Sequence, residues 1–182
     1  MKTPGTLIFG TAVFLLGAAA SAQDAGASCA HHPGKTASDH HAAVDARGDR
    51  VMGFDHDKTT HHFLLAKGGG SIEVTADRAD DKESRDAIRG HLAHIATMFA
   101  GGDFEAPMLV HDRVPPGVAV MKRRKADIGW KYEEIENGAR VVAVTKDPEA
   151  LSAIHEFLRF QIADHRTDDP GKVQGEARQH EH

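Results

Sequence analysis

Residues 130–162 read WKYEEIENGARVVAVTKDPEALSAIHEFLRFQI, and this stretch carries the grammar of the whole domain. Trp130 to Ile135 and Arg140 to Thr145 are strand-like runs flanking Asn137-Gly138. That pair tolerates the positive φ angles of a tight hairpin. Asp147-Pro148 then opens a helix, with a capping side chain followed by a proline whose fixed φ suits the first helical position. Leu151, Ile154, Phe157, Leu158 and Ile162 recur at helical spacing and mark its apolar stripe.

The same order of signals stands earlier in the chain. Thr59 to Ala66 and Ser71 to Ala76 are short strand-like runs separated by Lys67-Gly68-Gly69-Gly70, and Ile72, Val74 and Ala76 alternate with polar residues. A helix follows, with Asp80 as its expected cap, Glu83 three residues on, and Gly101-Gly102 at its end. Its stripe is Ile88, Leu92, Ile95 and Phe99. Ala87-Ile88 and Ala153-Ile154 fall at equivalent places in the two helices, which predicts a duplicated ββα unit. Two hairpin–helix units of independent origin would give the same pattern. Either way the fold class is α+β: a four-stranded antiparallel sheet with helices on one face. Between the units, Pro107-Met108-Leu109-Val110-His111 reads as a short extended piece. Pro115-Pro116-Gly117 breaks the chain, and Val118 to Ile128 reads as a helix whose basic run is a solvated face.

The ends differ in kind from this core. Lys2, the apolar run Leu7 to Ala20, and the small residues Ala20-Ser21-Ala22 read as a removable secretion signal over residues 1–22. The run is short for a membrane span, so the expected product is exported, periplasmic or secreted, with no span once the signal is removed. Removal of 22 of the 182 residues leaves 160, enough for one domain. Residues 23–50 hold few large apolar side chains and read as a flexible histidine-rich leader. Residues 51–168 form the domain, and 169–182 a loose polar tail. With Lys2 gone, the 22 basic side chains fall to 21 against 27 acidic, which argues against a nucleic-acid partner. Cys29 is the only cysteine, so no internal disulfide forms.

Several stretches resemble an uncharacterised family of exported bacterial proteins. They are Thr59-Thr60-His61-His62-Phe63, His91-Leu92-Ala93-His94-Ile95, Pro107-Met108-Leu109-Val110-His111-Asp112 and Pro115-Pro116-Gly117-Val118. The resemblance covers most of residues 51–170. It implies export and supplies no activity. Some relatives carry the label aspartate carbamoyltransferase, but this chain is short for that enzyme and has no Ser-Thr-Arg-Thr phosphate loop.

Fourteen histidines are the chemical signature. In the leader, His31-His32 and His40-His41 lie near Cys29, and imidazole with thiolate is a good donor set for copper or zinc. In the domain, His91, His94 and Met98 are three and four residues apart and share one helix flank. His61 is in phase with Phe63 and Leu65, so it is expected to face the helices, with His62 pointing away. His111 would close the same pocket, and His56 stands just before the strand. His155 and His165 are left outside this set because Phe157 and Phe160 replace the first helix's pair there.

The leading expectation is therefore a transition-metal site, copper above all because of the thioether, built from His61, His91, His94 and His111 with Met98. The protein would then act as a carrier, buffer or sensor. Non-covalent haem or another small ligand in the groove between helices and sheet is the alternative. An enzyme using one of these histidines as acid–base group, oriented by Asp112, is the third. Enzyme signatures are otherwise lacking: His155-Glu156-Phe157-Leu158-Arg159 has arginine where a zinc-protease helix needs its second histidine.

Overall fold

A computed structural model describes residues 36–173. Residues 1–35, which hold the stretch read as a secretion signal together with Cys29, His31 and His32, and residues 174–182 lie outside the described residues. Four strands, β1 (Thr59–Ala66), β2 (Gly69–Ala76), β3 (Ile128–Ile135) and β4 (Gly138–Thr145), form one antiparallel sheet in the order β1-β2-β4-β3. Helix α2 (Lys82–Ala100) follows the first hairpin and α5 (Pro148–His165) follows the second. The α+β fold expected from the sequence is therefore present, with two hairpin–helix units side by side.

Pairing fixes which side chains face the helices. Across the sheet, Phe63, Ile72, Val141 and Tyr132 form one row, and Leu65, Gly70, Ala143 and Trp130 another. These rows meet Ile88, Leu92, Ile95 and Phe99 of α2, and Ile154, Phe157 and Leu158 of α5, in one core. The row on the other side of the Phe63 row carries Glu73, Arg140 and Glu133, joined by ion pairs on the outer face. Period-two alternation is what sorts the two sets.

The helices are exchanged between the units. α2 lies mainly over β3 and β4, while α5 lies mainly over β1 and β2. Each grips the other unit's turn. Arg89 of α2 donates from Nε to the Gly138 carbonyl (3.2 Å) and from Nη2 to that of Ile135 (3.1 Å). His155 of α5 sets Nε2 2.9 and 3.0 Å from the Ala66 and Gly69 carbonyls. Arg89 and His155 each follow the Ala-Ile pair shared by the two helices. The first residues of β2 and β4 are also matched. A Cβ on Gly69 would lie 1.9 Å from the Ala143 carbonyl oxygen, and one on Gly138 1.9 Å from that of Val74, so the two central strands approach closely only over glycine.

Five local expectations are corrected. The second half of the supposed leader is helix α1 (Ala37–Met52), opened by a reciprocal Thr36–Asp39 capping box and closed by Gly53 at φ 79°. Few large apolar residues did not leave it loose, because polar contacts hold it. Arg47 Nε donates to the Val110 carbonyl (2.7 Å), Arg166 pairs with Asp45, and His40 bonds Asp164. The segment read as extended is helix α3 (Glu105–His111). Seven residues are too few to show a period, and Pro107 sits in the first turn, where backbone N–H groups have no helical partner anyway. The cap of α2 is Asp81, which accepts from the Ser84 backbone N–H (3.0 Å), while Asp80 pairs with Arg78. The basic helix is shorter than expected: α4 (Val118–Arg123) ends early, and Ile128 already belongs to β3. Its Arg123 meets Glu149, as does Arg124 just beyond it. Asp169, expected to begin a loose tail, accepts from the Phe63 backbone N–H (2.8 Å) and bonds His62 (2.8 Å), covering the β1 edge.

Candidate functional site

The sheet row that begins at His61 continues through Val74 and Ala139. Its first residue faces the helices, as its phase with Phe63 requires, while His62 points outward to Asp169. Above His61 the core is not filled. A cavity of about 70 Å³ lies between β1, β2, α2, α3 and α5, with Met52 of α1 at its margin. Its wall is mostly apolar, made by Phe54, Phe63, Val74, Leu92, Ile95 and Val110 among others, and the polar groups on it are His61, His91, His111, Gln161 and His165.

The aromatic rings are layered. His61 and His165 stack at 5.7 Å between centroids with planes 8° apart, and Phe54 stacks on His61 at 5.9 Å. His91 meets Phe54 edge-on at 5.7 Å, and His111 meets His165 edge-on at 5.0 Å. Burial dominates their protonation. It pushes His61 and His91 down to about 4 and His165 down to about 3, with neighbouring imidazoles adding to the fall. All three are uncharged at neutral pH.

Two polar atoms on this wall lack partners among the described residues: Nε2 of His61 and Nε2 of the Gln161 amide. Gln161 is only 3 % exposed. His111 is different. It is 2 % exposed, with Nδ1 2.5 Å from Asp164 and Nε2 2.8 Å from the Gln161 amide. The same Asp164 carboxylate receives N–H groups from Arg113 and His40, each at 2.9 Å. Burial would raise the Asp164 carboxyl, but the bonds from His40 and His111 outweigh it and hold it below the usual carboxylate range.

Of the residues picked from the sequence, His61, His91 and His111 share this cavity. His94 is exposed, and Met98 packs partly buried against the core. At 3.6 residues per turn His94 sits about 60° round the helix from His91, on the side away from Ile95. The leader pair is also used structurally: His40 bonds the Asp164 carboxylate, and His41 Nδ1 lies 3.3 Å from the Asp164 backbone oxygen. Asp112, expected to orient His111, is exposed and ends α3 in a left-handed conformation; Asp164 is the carboxylate on His111. Sequence reasoning passed over Gln161 and His165. Both lie on the face of Phe157, at successive steps of four, so polar residues continuing an apolar stripe were the available signal.

A second, more polar cavity of about 290 Å³ shares His61, His165 and Met52 with the first, and is otherwise lined by Asp45, His56, Thr60 and Arg166 among others. The stacked His61–His165 pair thus borders both cavities. Among the described residues, the one group of three His, Cys, Asp or Glu side chains with ligand atoms mutually within 4.8 Å is Asp49, Asp55 and His56. There Asp49 accepts from both the backbone and Nδ1 of His56, and Asp55 caps the turn that follows it. The cavity imidazoles form no such group.

Comparison with family models, with curated proteins and with solved structures gave no match to this chain. Among the described residues, no helix is long and apolar enough to cross a membrane.

Proposed function

We propose that this is an exported binding protein for a small, mainly apolar molecule, held in the histidine-lined cavity between the sheet and helices α2, α3 and α5. One observation carries the reading: His61 Nε2 and one end of the Gln161 amide are buried and unpartnered on an otherwise apolar wall. A buried polar group left unpaired costs about 1–3 kcal/mol, which an occupant offering a partner recovers. Volume limits the occupant. An apolar cavity of about 150 Å³ takes benzene, so one half that size takes a molecule of few heavy atoms, and a haem macrocycle does not fit.

The test is an NMR titration of methyl-labelled protein with small apolar probes of about two to four heavy atoms, a size set by that volume. Saturable shifts confined to the methyls of Ile72, Val74, Leu92 and Ile95 are expected, and Ile95→Phe should abolish them. Folded protein that shows no saturable shift with any probe would overturn the proposal.

A transition metal, copper before zinc, is the second reading. His61, His91 and His165 favour it because they keep bare imidazole lone pairs at neutral pH. Their nitrogens would have to turn toward a common point to hold an ion. Copper that survives dialysis in the wild type and is lost in His61→Ala with His91→Ala would support this reading over the first. Acid–base catalysis by His111 has less support, since Asp164 and Gln161 occupy both ring nitrogens.

A further inference from the structure

The chain Asp164–His111–Gln161 decides which end of the Gln161 amide is left over for the cavity. Asp164 receives the guanidinium of Arg113 as well as His40, so it is ionised and acts only as an acceptor. His111 Nδ1, 2.5 Å away, must therefore carry a proton and donate it. A second proton on Nε2 would place a further cation in a site 2 % exposed, where Arg113 already balances the carboxylate. Burial accordingly lowers the basicity of His111. Nε2 is then a bare acceptor, and the amide group 2.8 Å from it must be the NH₂ of Gln161. The two ends of an amide differ only by a half-turn, and the network selects the orientation.

That half-turn puts the Gln161 carbonyl oxygen where the unpartnered amide atom lies, buried beside the cavity. An acceptor without a donor is thus built into an apolar wall. His61 imposes no opposite demand, because an uncharged imidazole takes whichever tautomer its partner needs. We infer that the occupant of the cavity is a hydrogen-bond donor: a small apolar molecule bearing one N–H or O–H group, read by the Gln161 carbonyl. This rests on the cavity reading above. An ether or other pure acceptor can satisfy His61 but leaves Gln161 unmet.

Ethanol and dimethyl ether are isomers of three heavy atoms and differ in having an O–H donor or not. Titrated separately into the wild-type protein by NMR, ethanol should bind about tenfold or more tightly than dimethyl ether, the discrimination one buried unpaired acceptor gives. Gln161→Met, which keeps the chain length and removes the acceptor, should bring the ratio close to one while dimethyl ether still binds. Equal or tighter binding of dimethyl ether by the wild type would overturn the donor inference and leave the cavity reading standing. Failure of both isomers together with every apolar probe would sink the cavity reading itself. Should Gln161→Met not fold, long-range ¹H–¹⁵N spectra of wild-type imidazoles read the premise directly. His111 protonated on Nδ1 alone is the expected result at pH 7, and protonation on Nε2 would overturn it.

Discussion

The two ends of the core are built from similar ring-shaped side chains and packed to opposite effect. At one end Phe99, Phe104, Trp130 and Phe157 close on one another, with centroids 4.5 to 6.2 Å apart. At the other, Phe54 and Phe63 share their layer with His61, His91, His111 and His165, and the rings surround space. Phe99 and Phe157 belong to both ends and mark the boundary. Replacing phenyl by imidazole leaves the shape of the layer nearly intact while adding lone pairs that require partners. The first end is therefore assigned to stability, and the second is where the fold gives some stability up.

Substitutions can break that contrast. Phe104→Ala at the filled end should cost about 3–5 kcal/mol of unfolding free energy, measured by urea denaturation, because the side chain is 1 % exposed and leaves a void. Asp164→Asn should cost about 2–3 kcal/mol, since one carboxylate serves His40, His111 and Arg113. Hydrogen exchange should then speed up in α1 before it does in the sheet.

Acidification sharpens the comparison. As pH falls through about 6.5 the unfolded chain's imidazoles take up protons, while folded His61, His91 and His165 refuse them until pH nears 4 or below. The unfolded state then binds more protons, so stability is lost on going down from 6.5 toward 4. The slope should reach at most about 1.4 kcal/mol per pH unit for each histidine. His56, whose value is raised by Asp49 against the effect of burial, works in the opposite direction. Urea midpoints between pH 7.5 and 4.5 test this, and His165→Phe should remove one histidine's share of the slope. His94→Ala, on the exposed side of α2, should move stability by no more than about 0.5 kcal/mol and leave probe binding unchanged.

The sheet and its two long helices were legible because period two and period 3.6 are both printed in the letters. α1 and α3 were not. α1 is held to the domain by Arg47, His40 and Asp45, long-range polar contacts with no local pattern, and α3 is a single short stretch broken by Pro107. The site was half legible for the same reason. Phase along β1 placed His61, and the α2 stripe placed His91, but the partner of His111 is Asp164, fifty-three residues on, where no spacing rule reaches. Gln161 and His165 continue the stripe of α5 and were hidden by being polar.

The reciprocal grips of Arg89 and His155 bear on how the chain can come apart. Each long helix lies mainly over the other unit's hairpin, so a fragment ending before Ile128 would carry an α2 whose anchoring turn is missing, and the complementary fragment would lack the turn that His155 holds. Supplied together, the two fragments can rebuild the native arrangement without a covalent link. Two whole molecules can likewise trade halves through the segment joining α2 to β3, so a domain-swapped dimer is the oligomer this topology offers at least cost.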